Sequence, residues 1–117
     1  MLLVHASHGR EDSERATLPF VFANNAALAG EEVVVLLTTE AVWLATEGGA
    51  EGVHREGLPP VAEILRELID GGGQVWACQS CTKPRDITDE QLVKGARIGT
   101  SMEVVELFAR GASSITF

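Results

Sequence analysis

Apolar residues in this chain fall in short blocks of two kinds, and the two kinds alternate. Leu2 to Ala6 is a nearly continuous apolar run that empties into Ser7-His8-Gly9-Arg10-Glu11-Asp12, the pattern of a strand buried on both faces and ending in a loop. From Thr17, residues Leu18, Val21, Phe22 and Leu28 recur at helical spacing, with Pro19 expected in the first turn and Gly30 at the C-terminal cap. Glu32 to Leu37 is again apolar on both faces, so a β-α-β unit is predicted to be complete by Thr38.

Glu40 to Ala45 predicts a short helix, and Glu47 to Gly57 is too rich in glycine for regular structure. Pro59-Pro60 opens a helix over Val61–Asp70 whose apolar positions 61, 64, 65, 68 and 69 share one face, and Gly71 to Gly73 stop it. Gln74 to Ala77 is a third strand that delivers Cys78 to its C-terminal end. Asp89 to Val93 predicts one or two helical turns, and Ala96 to Gly99 a brief fourth strand. Thr100 with Glu103 forms a capping box ahead of Val104, Val105, Leu107 and Phe108, Gly111 ends that helix, and Ser114 to Phe117 is a last strand. The alternation predicts an α/β fold, a mostly parallel sheet of about five strands between helix layers. At 117 residues, with no repeat or linker, the chain is expected to be one domain over 1–117.

Composition narrows the function classes. Nine Lys and Arg against seventeen Asp and Glu give a net charge of −8, which offers no attraction to phosphate backbones or anionic lipid, so neither nucleic acid nor membrane is an expected partner. No apolar run approaches a membrane span. The N-terminus lacks the basic and apolar regions of a secretory signal, and the expected location is the cytoplasm with reduced thiols. The patterns G-x-S-x-G, G-x-x-x-x-G-K-[ST] and G-x-G-x-x-G are absent, so no nucleotide cofactor is called for.

The chemistry-bearing segment is Cys78-Gln79-Ser80-Cys81-Thr82-Lys83-Pro84-Arg85, predicted beyond the carboxyl end of a strand, where open α/β sheets bind ligands. Helix N–H groups of a turn from Gln79, with Lys83 and Arg85, would favour the Cys78 thiolate. Three chemistries share the spacing. Zinc requires two further ligands, which His5, His8 and His54 would supply only if the fold gathered them. A thioredoxin-like dithiol fits the spacing, although Pro84 interrupts the helix such a motif begins. A persulfide-forming nucleophile requires one activated cysteine on an accessible loop. His8, followed by Gly9, is a candidate proton donor or acceptor at the thiol, whereas His5, inside an apolar strand, is expected to be a hydrogen-bonded structural residue. His54 receives no role. Trp43 and Trp76 are expected in the core or at subunit contacts.

The chain resembles the DsrE/DsrF-like (sulfur relay) family over nearly its whole length. The segments that carry the resemblance are Val4-His5-Ala6-Ser7, Glu14-Arg15-Ala16, Gly30 before Val33 to Leu37, Ala41 to Ala45, Val75 to Cys81 with Arg85-Asp86-Ile87, and Gly95-Ala96 through Val104 to Leu107 and the closing strand. The resemblance implies a compact three-layer α/β/α sandwich and assembly as a homotrimer or hexamer. It also implies a sulfur carrier or sulfurtransferase-like activity with Cys78 as the persulfide-forming nucleophile, Cys81 aiding release, and a sulfur-relay protein as partner. Cys78, Cys81 and His8 are the catalytic candidates, with Ser7, Gly9, Lys83 and Arg85 as binding candidates, and neither metal nor cofactor is expected. The alternatives are a non-catalytic oligomeric binding module of the same fold and a C-x-x-C thiol-disulfide protein. Asp86 stands where the family usually places Gly, and its carboxylate is expected to oppose the nearby cations. Trp43, Leu44, Val53 and Leu58 are expected to form an apolar patch that a second subunit covers, ordering the loop from Glu47 to Pro60 by contact.

Overall fold

The computed structural model describes residues Met1–Phe117 and contains all five predicted strands: β1 (Leu2–Ala6), β2 (Val33–Leu37), β3 (Gln74–Cys78), β4 (Ala96–Gly99) and β5 (Ser113–Thr116). They pair in the order β4-β3-β2-β1-β5, and every pairing is parallel. Four helices connect them: α1 (Ser13–Leu28), α2 (Val61–Asp70), α3 (Gln79–Thr82) and α4 (Ser101–Ala109). Short 3-10 segments cover Thr39–Ala45, Lys83–Arg85 and Asp89–Gln91.

The strand order sorts the helices between the two faces. Steps from β1 through β4 run one way across the sheet, and the last step returns past all of them to β5. Right-handed crossovers therefore put α1, α2 and α3 on one face and α4 alone on the other. Two apolar clusters bear this out. Val4, Ala6, Val33, Val35, Leu37, Val75 and Ala77 pack with Phe20 of α1 and Ile64, Leu65 and Leu68 of α2. The alternate positions Leu3, Val34, Leu36 and Trp76 pack with Leu107 of α4, as the period of two along a strand requires.

Helix α1 begins four residues earlier than the apolar spacing predicts. Asp12 caps it by accepting from the Arg15 N–H at 3.1 Å, so Pro19 lies inside the helix rather than in its first turn. The Thr17 hydroxyl donates to Ser13 O at 2.6 Å within the turn that Pro19 interrupts. The predicted helix at Glu40–Ala45 is a 3-10 segment, and the turns at Asp89–Val93 reduce to Asp89–Gln91 followed by the buried Leu92.

The expected apolar patch around the glycine-rich loop is not there. Leu44 and Val53 are 1% and 2% exposed and belong to the main core, and of the four residues only Trp43 is substantially open, at 37%. Nor does the loop wait for a subunit to order it. Glu47 donates to Gln91 O, Gly49 to Thr46 O, Val53 to Ala50 O and Val61 to Val53 O, while Arg10 reaches across to Gly49 O and Glu51 O. Hydrogen bonds of its own and the burial of Val53 hold it. No helix is long and apolar enough to cross a membrane.

Candidate functional site

All strands being parallel, the loops after β1, β2 and β3 gather at one edge of the sheet. Cys78 ends β3 and is the N-cap residue of α3. A helix leaves its first N–H groups without intrahelical acceptors, and the Cys78 side chain makes no capping bond to them. The thiol is half-buried and reduced, and it packs against the cluster of Leu3, Val34, Leu36, Trp76 and Leu107 on the α4 face. Cys81, one turn on, is also half-buried but packs against the main core. The two thiols of the C-x-x-C segment thus rest against different clusters on opposite faces of the sheet.

Arg85 is engaged by Cys81 O and Glu40. One guanidinium nitrogen donates to Cys81 O at 3.1 Å and another pairs with Glu40 at 3.3 Å, so its charge is matched by a carboxylate. Lys83 is exposed and has no ion-pair partner. Asp86 adopts φ 54° and ψ 35°, the left-handed region, at the end of the Lys83–Arg85 segment. Its carboxylate is exposed and bonds to nothing, while its N–H donates to Lys83 O at 3.1 Å. Glycine is the residue this backbone favours, and Asp is among the few others that tolerate it. The backbone here thus accommodates Asp86, whose carboxylate pairs with neither Lys83 nor Arg85.

On the β1 side, Ser7 Oγ donates to Phe117 O at 2.9 Å and lies 3.1 Å from His8 Nδ1. Gly9 donates its N–H to Glu11 at 2.7 Å, and a side chain there would sit 2.6 Å from Glu40 O. Gly9 is thus a close-approach position that lets the 3-10 segment pack on the first loop. Arg10, Glu11, Glu40, Trp43 and Gly49 line a cleft of about 420 Å³ at this edge, linked to the cysteine segment through Glu40 and Arg85. His54 bonds Leu58 O at 2.8 Å within its own loop, far from a shared ligand set. No three of the His, Cys, Asp and Glu side chains converge as metal ligands.

His5 is the residue whose surroundings the sequence did not foretell. It is hydrogen-bonded, as expected, but its partner is the first residue after β2: His5 Nε2 lies 2.7 Å from Thr38 Oγ1. Burial holds the imidazole pKa below its ordinary 6.5. The signal that would have found the pair is the register of β1 against β2, which no periodicity reveals.

The pattern of the DsrE/DsrF-like family matches residues 2–117. An uncharacterized protein of Methanopyrus kandleri, MK0008, is 29% identical over 117 residues, which is all of this chain and 93% of that one. Among solved structures, the ychN protein from E. coli superposes with a TM-score of 0.80 at 22% identity, covering 99% of this chain and 97% of its own. The MTH1491 protein from Methanobacterium thermoautotrophicum does so with a TM-score of 0.77 at 17% identity, covering 99% and 97%. Likeness at these identities establishes the shared fold and nothing finer.

Proposed function

The chain belongs to the DsrE/DsrF-like family, and from that premise we propose that it handles sulfane sulfur, with Cys78 as the residue that carries it. The observation that supports this reading is the placement of Cys78 at the C-terminal end of an interior strand, at the N-cap of α3, with its thiol uncommitted to any hydrogen bond. The reaction is an exchange: the Cys78 sulfur attacks the outer sulfur of a donor persulfide R–S–SH, a new S–S bond forms as the donor's S–S bond breaks, and R–SH leaves with the proton. No external oxidant or reductant enters. Donation to a sulfur-relay partner is the same exchange with Cys78 as donor.

The one-cysteine carrier is preferred over the dithiol because Cys78 and Cys81 pack against different clusters. The test is intact mass after incubation with a sulfane-sulfur donor. A gain of one sulfur atom that disappears in Cys78→Ser is the expected result. No gain with several donors overturns the proposal in favour of a binding module, and a loss of two hydrogens on mild oxidation in place of sulfur uptake favours the dithiol.

A further inference from the structure

On the α4 face Thr38 lies one strand from Cys78 and His5 two strands away. The register runs His5 to Leu36 to Trp76 across β1, β2 and β3, and side chains two residues apart share a face. One pleat nearer the edge, Thr38 follows Leu36 and Cys78 follows Trp76. Neighbouring strands lie about 4.8 Å apart, and continuing the register from Leu37 and Ala77 sets Thr38 across from Cys78, with no hydrogen bond joining hydroxyl and thiol in the resting structure. The hydroxyl's partner is the His5 imidazole at 2.7 Å, the one hydrogen bond the ring makes.

The backbone keeps Thr38 in place. Its N–H donates to Ala6 O at 2.9 Å, one step beyond β2. The next residue, Thr39, has φ 50°, a left-handed conformation that β-branched residues avoid. Its hydroxyl donates to Ser7 O at 2.5 Å and lies 2.8 Å from Thr38 O. A conformation of this kind persists only where its surroundings enforce it, and here it turns the chain immediately after the residue that joins His5 to the cysteine edge.

We infer that the Thr38 hydroxyl relays the Cys78 proton to His5, making both of them positioning residues for sulfur transfer to Cys78. This rests on the sulfur-carrier reading. When Cys78 attacks the donor's outer sulfur, the thiol turns to the Thr38 hydroxyl; its proton passes to Thr38 Oγ1 while the hydroxyl proton passes to His5 Nε2, to which it is already hydrogen-bonded. The proton returns by the same path to the departing donor thiolate, giving Cys78–S–SH and R–SH in balance. In this direction Nε2 accepts, which places the ring proton on Nδ1. Burial keeps the imidazole in the neutral, accepting form at neutral pH. The ionisable side chains on the surrounding elements are Cys78 on β3, Arg97 on β4, and Glu103 and Glu106 on α4, with none in Val33–Leu37 or Ser113–Thr116; at the strand ends lie His8 on Ser7, Glu40 paired with Arg85, Cys81, Lys83 and Asp86. Arg97 is tied to Glu103 at 2.6 Å and Glu106 to Arg110 at 3.5 Å, and His5 is the titratable group hydrogen-bonded to Thr38.

The test uses the full chain carrying Cys81→Ser, so that only Cys78 reports. Sulfur uptake is timed by intact mass, and alkylation by iodoacetamide is followed from below the histidine range to above the thiol range. Thr38→Val, which keeps the shape and removes the hydroxyl, and His5→Gln are each expected to slow uptake by about ten- to a hundredfold. Both should also erase the inflection of the alkylation profile in the histidine range, and Thr38→Ser should restore rate and inflection. Wild-type rate and profile in Thr38→Val overturn the inference, as does failure of Thr38→Ser to rescue. Should Cys78 take up no sulfur in any form while its alkylation still depends on Thr38 and His5, the carrier reading fails and the relay stands. Should Thr38→Val not fold, His5→Gln and the Thr38→Ser profile decide alone.

Discussion

Replacing Asp86 separates two roles that one residue can play. Its φ of 54° and ψ of 35° lie in the left-handed region, which costs an ordinary L-residue about 1–2 kcal/mol and Asp somewhat less. Its carboxylate is exposed and makes no hydrogen bond or ion pair, so side-chain contacts add nothing to the comparison. Glycine removes the steric cost but has about 0.5–1 kcal/mol more backbone entropy to lose. The expected order of stability is therefore Asp86→Gly equal to the parent or up to about 1 kcal/mol above it, Asp86→Asn level with it, and Asp86→Ala about 1 kcal/mol below. In a chain of this length 1 kcal/mol corresponds to roughly 3–6 °C in Tm, well within reach of thermal unfolding followed by circular dichroism. A glycine variant less stable than the alanine one would refute the conformational account. The same variants probe the site, since a carboxylate that restrained Cys78 would make Asn and Gly equally faster in alkylation, whereas a backbone role leaves the Asn variant at the parent rate.

Other expectations follow from particular contacts. Glu103 has its carboxyl pKa lowered from 4.5 to about 2 by its hydrogen bond to Arg97 first and by the Thr100 N–H second; its stabilisation is therefore complete above pH 4.5 and lost as pH falls toward 2, and Glu103→Gln should flatten acid unfolding in that window. Thr100 caps α4 through a bond from the Glu103 N–H at 3.2 Å, and Thr100→Ala should cost about 1 kcal/mol in urea unfolding. Cys81→Ser should leave the lifetime of sulfur on Cys78 unchanged, because Cys81 packs with the opposite cluster; a longer-lived adduct would restore it as a resolving thiol. Assembly is expected through α4, whose Met102, Val105 and Phe108 are 66%, 58% and 46% exposed. Light scattering should give about three or six times the 12.5 kDa chain mass, and Val105→Asp should reduce it; a monomer across micromolar concentrations would refute this.

How far the sequence could be read depended on whether a feature is local. Val33 to Leu37 has no polar position, and a strand so uniform can only lie under cover on both faces; all five of its residues are buried. Thr100 with Glu103 announced α4, and both halves of the capping box form. Local rules failed where a side chain beyond the apolar window decided the outcome, as Asp12 did by starting α1 at Ser13. The loop from Glu47 to Pro60 was misjudged for a similar reason. Its glycines suggested an unsupported segment, yet Val53 enters the core and the loop carbonyls find Arg10, thirty-nine or more residues away in sequence.

The site was legible in its parts and not in its pairing. That Cys78 would end a strand, and that His5, Ser7 and His8 would share its edge if every strand were parallel, follows from the order of elements, and every pairing is parallel. Which histidine shares the cysteine's face of the sheet depends on the parity of its position along β1. Period-two alternation sets His5 with Leu3 on the α4 face, where Cys78 also packs, while Ala6 and Val4 belong to the other. The two faces differ because the chain makes three crossovers on one side and a single return on the other. Three helices and a long loop cover the centre of the first face and leave its margins, such as Ile98 and Ile115, half-buried. One nine-residue helix covers the second, and it leaves the imidazole, the Thr38 hydroxyl and the thiol only half-buried at the sheet's edge. A thiol must be shielded enough for its neighbours' charges and hydrogen bonds to count, and open enough for a donor sulfur to reach it. The lopsided topology supplies both conditions at Cys78 and denies the second to strand ends at the centre of the first face, such as Leu37 and Ala77, which are wholly buried.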